Sequence, residues 1–149
     1  MEYKYISANV KDTIILAQNI ESEKFENMVI CLNGDLGSGK TLFAKAFASS
    51  LSIKENITSP TFNIVKEYDN GEMPLAHMDV YRLNENNEFG IEDYFNKGSI
   101  CLIEWAEYVQ DRLPSERLEL NFIMIDETVR KIVIKAYGEK YISLCESVL

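Results

Sequence analysis

Between residues 28 and 32 the chain reads MVICL, five apolar positions with no polar break. A run that short, rich in β-formers and bounded by polar residues, predicts a strand covered on both faces, as in a parallel sheet. A second such run, ICLI, spans 100–103. Other stretches carry the helical period. Ile14, Ile15, Leu16 and Ala17 within 11–21 predict an amphipathic helix capped near Ser7 or Asn9. Leu42, Ala46, Ala48 and Leu51 predict a helix over 41–51. Residues 62–68 and 75–83 look like strands around the turn DNGEMP, 88–95 a short helix, and 106–113 a helix that stops before Pro114. Near the end, RLELNFIMI and RKIVIKAY flank DET and predict an antiparallel hairpin. Tyr141, Ile142, Cys145, Val148 and Leu149 form a last stripe at helical spacing. Strand–helix alternation with an added hairpin predicts an α/β fold: a three-layer α/β/α sandwich on a mixed, mostly parallel sheet.

Composition narrows the function classes. At 149 residues the chain is expected to form one domain, 1–149. With 46% apolar and 26% charged residues it reads as an ordinary globular protein. A net charge of −9, with acidic residues spread along the chain, argues against a direct grip on nucleic acid. The N-terminus shows no secretory pattern and no run is long enough to span a bilayer, so a cytoplasmic protein with no membrane contact is expected. Three scattered cysteines and a single histidine, His77, disfavour a disulfide scaffold or a zinc site.

The junction between the first buried strand and the second helix carries the chemistry. GDLGSGKT, residues 34–41, matches G-x-x-x-x-G-K-(S/T) in full. Glycines let backbone N–H groups close on phosphate oxygens, and the helix that follows points its positive end at the same place. The nucleotide-binding set is Asp35, Leu36, Gly37, Ser38, Gly39, Lys40, Thr41 and Leu42. Lys40 would reach the β/γ-phosphates, and the Thr41 hydroxyl would ligate Mg²⁺.

Such a loop needs a carboxylate from another strand to complete a metal site. Glu104 stands at the end of ICLIEW, at the strand edge where open α/β sheets bind ligands. In PLAHMDVYRL, an extended chain puts His77, Asp79 and Tyr81 on one face and Ala76, Met78 and Val80 on the other. Two carboxylates beside a triphosphate repel it unless a divalent cation lies between them, so Asp79 and Glu104 belong together only with Mg²⁺. His77 reads equally as a hydrogen-bonded core residue and as part of the site. In SPTFNIVKEY, Ser59 and Thr61 offer hydroxyls at the mouth of a strand, as in loops ordered by γ-phosphate and Mg²⁺.

GDLGSGKT, SPTFNIVKEY, HMDVYRL and IEW, in this order, resemble the TsaE family, the small ATPase of bacterial tRNA threonylcarbamoyladenosine synthesis. The resemblance spans about residues 31–105. It implies a P-loop NTPase-like fold, ATP with Mg²⁺, and a family role for each matching residue. Lys40 resembles the phosphate-binding lysine, and Thr41 the metal-binding hydroxyl. Thr61 matches the switch-loop threonine, while Asp79 and Glu104 match the acidic pair that binds metal and activates water. Trp105 matches a tryptophan near the nucleotide. It further implies a TsaD–TsaB complex as partner, tRNA reached indirectly through that complex, and ATP hydrolysis that supports repeated turnover. With no arginine placed as a finger, hydrolysis is expected to be slow and stimulated by the partner. The rival is a small P-loop kinase acting on a metabolite or nucleotide. A kinase needs a basic lid, and the four arginines Arg82, Arg112, Arg117 and Arg130 are scattered. A GTPase lacks support, since NKGS at 96–99 has no aspartate where guanine selection needs one.

Overall fold

The structure is a computed structural model that describes residues 1–58, 64–81 and 89–149. Its elements are β1 (Glu2–Ser7), α1 (Val10–Ser22), β2 (Val29–Gly34), α2 (Lys40–Ser50), β3 (Val65–Tyr68), β4 (Leu75–Asp79), β5 (Ile100–Glu104), β6 (Arg117–Met124), β7 (Arg130–Tyr137) and α3 (Glu139–Val148). The strands form one mixed sheet in the order β1-β7-β6-β2-β5-β4-β3.

The most apolar strand sits at the centre. Parallel β6 and β5 flank β2, and its residues Val29 to Asn33 are all buried. Its two faces feed two cores. Ile30 and Leu32 pack with Leu102, Leu120, Phe43 and Phe47 under α1, α2 and α3. Val29 and Cys31 pack on the other face with Met78, Ile103, Ile91 and Val109. Each such fully buried side chain contributes about 1.5–3 kcal/mol over an exposed one. The three cysteines are free and buried, and burial pushes the Cys101 thiol up to about 12.

Several expectations are corrected. The sheet is mixed, but three of its six ladders are antiparallel (β1–β7, β6–β7 and β3–β4), so it is not mostly parallel. The three α-helices among the described residues all pack on one face. Among the described residues the other face is covered by two 3-10 segments, Ile91–Tyr94 and Ala106–Arg112. The second was expected to be a full helix. Val109 breaks it with φ −127°, and the Glu107 N–H is drawn to Asn33 Oδ1 at 3.2 Å. Strand β1 was not foreseen. Tyr3 and Tyr5 alternate with exposed neighbours and pack against the helix-side core, while the backbone pairs with β7 at the sheet edge. At α1 the cap is Asn9, whose Oδ1 accepts the Asp12 N–H at 3.0 Å. Ser7 instead joins Thr13 by a hydroxyl–hydroxyl bond of 2.7 Å.

This topology positions the site. Strands β2, β4, β5 and β6 run the same way, so their C-terminal ends share one edge. Register places Leu32 opposite Glu104, and Glu104 opposite Asp79. The ladder continues past the strand ends through Trp105 N–H to Leu32 O at 2.9 Å and Val80 N–H to Glu104 O at 3.1 Å.

Candidate functional site

Three glycines with positive φ shape the loop between β2 and α2: Gly34 at +143°, Gly37 at +81° and Gly39 at +114°. At Gly34 a Cβ would lie 2.7 Å from the Phe122 carbonyl oxygen and 2.8 Å from Ser38 Oγ, so no larger residue fits. Gly39 caps α2 in the left-handed region and provides no side chain to the helix end. The first-turn N–H groups are therefore left for another acceptor, in a positive field. From β7, Arg130 braces the loop by donating to Ser38 O at 3.1 Å and Gly37 O at 3.3 Å. The same guanidinium donates to Asp126 O at 2.8 Å, which ties the loop to the β6–β7 turn.

Lys40 opens α2 and is 4% exposed. Its ammonium donates to Gly34 O and stands 3.2 Å from the centroid of the Trp105 ring. Burial holds its pKa below the ordinary value, against the opposing pull of Glu104, Glu107, Asp79 and Asp35. Trp105 reaches that position through a left-handed backbone, φ 63° and ψ 34°. Its ring stacks on Tyr108 at 5.8 Å and meets the Tyr81 edge at 5.0 Å.

In the next residue, Thr41 Oγ1 donates to Glu104 Oε1 at 3.1 Å. The other oxygen of that carboxylate, Oε2, accepts from His77 Nε2 at 2.6 Å. Glu104 is 2% exposed, so this is a carboxylate held inside the protein by two directed bonds. Asp79 borders the same cavity, and its Oδ1 accepts the Tyr81 N–H at 3.1 Å.

The cavity measures about 680 Å³. Gly39, Lys40, Thr41, Asp79, Glu104 and Trp105 form one wall, with Leu36, Gly37 and Leu42 beside them. Val10 and Thr13 of α1 and Thr128 and Arg130 of the hairpin form the other. Of the expected loop residues, Asp35 and Ser38 do not line it; Ser38 is buried beneath the loop. Thr61 lies outside the described residues, as do Ser59 and Arg82. Sequence reasoning missed the second wall. A signal for it existed: if the hairpin's first strand lies beside β2, the hairpin tip must land next to the glycine loop.

Thr41 Oγ1 and Glu104 Oε1 suit a magnesium ion. Two oxygens bound side by side at about 2.1 Å in an octahedron lie about 3 Å apart, close to the spacing seen here. Among the described residues no group of three or more His, Cys, Asp or Glu side chains could hold a metal alone.

The family model described as threonylcarbamoyl adenosine biosynthesis protein TsaE matches residues 7–132. The chain belongs to the TsaE family. The match takes in both cavity walls, from Val10 to Arg130. The Bacillus subtilis protein TsaE, named for tRNA threonylcarbamoyladenosine biosynthesis, is 40% identical over 97% of this chain and 92% of its own length. The Treponema pallidum TsaE is 34% identical over 87% of this chain and 97% of its own. The crystal structure of Bacillus subtilis YdiB superposes with a TM-score of 0.84 at 38% identity, covering 99% of this chain and 94% of that one. The similarity therefore extends well beyond residues 31–105, into β1, the hairpin and α3.

Proposed function

We propose that this family member binds ATP in the cavity, hydrolyses it slowly, and serves tRNA threonylcarbamoyladenosine biosynthesis by supporting the turnover of a TsaD–TsaB complex. The chain works as a single P-loop NTPase-like domain in the cytoplasm and reaches tRNA only through that complex. The observation that carries the reading is the Thr41–Glu104 pair, 3.1 Å apart beside an uncapped helix N-terminus and a buried lysine.

The loop N–H groups and the α2 terminus bind the β- and γ-phosphates, and Arg130 keeps the loop carbonyls turned away. Lys40 leaves the Gly34 carbonyl and the Trp105 face for a phosphate oxygen, a stronger acceptor for an ammonium. Magnesium, when bound, shares the triphosphate charge and polarises the γ-phosphoryl group. Thr41 and Glu104 would hold it, with Asp79 on the neighbouring strand. Asp79, Glu104 or Thr61 orients the attacking water in line with the leaving oxygen. Hydrolysis is slow because Arg130, the described arginine at the cavity, is engaged by backbone carbonyls and supplies no cation to the transition state. The net charge of −9 favours a protein partner over direct contact with tRNA.

The test follows γ-labelled ATP. Label appearing as inorganic phosphate, faster with TsaD–TsaB and lost in Thr41→Ala and Glu104→Ala, is the expected result. Label passing to a metabolite, or variants as active as the parent, refutes it. A chain that fails to associate with TsaD–TsaB, with and without ATP, removes the partner from the proposal.

A further inference from the structure

We propose that His77 is a positioning residue: its imidazole holds one oxygen of Glu104 so that the other faces Thr41 and the cation. This rests on reading Thr41 and Glu104 as the cation's protein ligands.

His77 and Glu104 come from adjacent parallel strands. His77 is paired with Leu102, two residues before Glu104 and on the same face, which puts the ring diagonally behind the carboxylate. The ring is fully buried and Glu104 nearly so. A carboxylate in that setting needs directed partners, and its two oxygens have different ones: Oε2 accepts a hydrogen bond from His77 Nε2 at 2.6 Å, and Oε1 accepts one from the Thr41 hydroxyl at 3.1 Å. The His77 bond therefore fixes the carboxylate's rotation. The ring's other nitrogen, Nδ1, is buried with no hydrogen-bond partner among the described residues. A core histidine held for its own sake would satisfy both nitrogens. Among the described residues the imidazole makes its one hydrogen bond to Glu104. Outer groups that orient a metal-binding side chain typically affect metal affinity or activity by about 10–100-fold.

Three variants separate positioning from packing. His77→Leu removes the donor and keeps an apolar filler. His77→Gln places an amide nitrogen at about the reach of Nε2. His77→Asn carries the same amide on a shorter stem. Mn²⁺ is titrated into each protein with ATP and followed by electron paramagnetic resonance, and ATP affinity in EDTA is read from Trp105 emission. His77→Leu and His77→Asn are expected to need about tenfold more Mn²⁺, with ATP affinity in EDTA unchanged, while His77→Gln regains most of the loss. Parent-like Mn²⁺ binding in His77→Leu, or equal behaviour of the Gln and Asn variants, overturns the proposal. The Gln–Asn comparison decides even if His77→Leu does not fold. An unmutated protein whose ATP binding ignores Mn²⁺ removes the cation reading itself, and this inference with it.

Discussion

Replacing Lys40 with methionine should stabilise the ligand-free protein while weakening ATP binding. The residue is 4% exposed, with its ammonium part-buried at the cavity wall, and desolvation is the largest influence on its pKa, outweighing four nearby carboxylates. Its compensation is a charged hydrogen bond to Gly34 O, about 1.5–3 kcal/mol, and the Trp105 face, about 2 kcal/mol when desolvated. The effective cost of burying one ion is several kcal/mol, and replacing buried charges with apolar side chains of similar volume is often neutral or stabilising by about 1–4 kcal/mol. Methionine keeps the stem against Trp105 and leaves one carbonyl unpaired. The net expectation is a gain of about 1–2 kcal/mol, or a rise in Tm of about 2–8 °C for a chain of this size. ATP affinity should fall by about 10–100-fold, the worth of one charged contact to phosphate. Calorimetry and ATP titration read the two effects on the same samples.

The pH dependence gives a second reading of that variant. The folded pKa of Lys40 lies below its ordinary 10.5, so between the two values the unfolded chain binds more protons and stability rises with pH. Below the folded pKa the burial cost is fully present, and it is relieved as pH climbs toward 10.5. The advantage of Lys40→Met should therefore be largest near neutral pH and shrink in alkali. A Tm that drops by several degrees in the variant would refute the reasoning and make the ammonium a structural strut.

Other substitutions test the scaffold. Gly34→Ala forces a Cβ against the Phe122 carbonyl at positive φ and should cost about 2–4 kcal/mol in urea unfolding, with ATP binding lost. Arg130→Met frees the Ser38 and Gly37 carbonyls and should weaken ATP binding about tenfold in a fluorescence titration. Tyr141→Phe leaves the buried Val29 N–H without its phenol acceptor at 2.8 Å and should cost about 1–3 kcal/mol by calorimetry. In the parent, ultraviolet titration should find the Tyr141 phenol ionising only near about 12, since burial pushes it up.

The parts of the fold legible in the sequence were those with a single strong determinant. MVICL had to be covered on both faces, and it became the central strand. GDLGSGKT had to turn sharply, and three of its glycines take positive φ. The alternation in HMD put His77 and Asp79 on the same face as Glu104, as register shows. Hidden parts depended on distant partners. EYKYIS carries a weak alternation, and its strand exists because β7 has an edge to extend. The 106–112 segment has a helical pattern that the kink at Val109 interrupts, and its Glu107 N–H is taken up by Asn33 from far away in the chain. Arg130 looked like one of four scattered arginines until the hairpin brought it under the loop.

Crystals grown with ATP and Mn²⁺ in place of Mg²⁺ test the central claim most directly, because anomalous scattering locates the cation. The account predicts one strong peak within about 2.2 Å of Thr41 Oγ1, with Glu104 in its coordination sphere and the triphosphate on the loop N–H groups. A triphosphate bound elsewhere, or a cation that touches neither Thr41 nor Glu104, would contradict it.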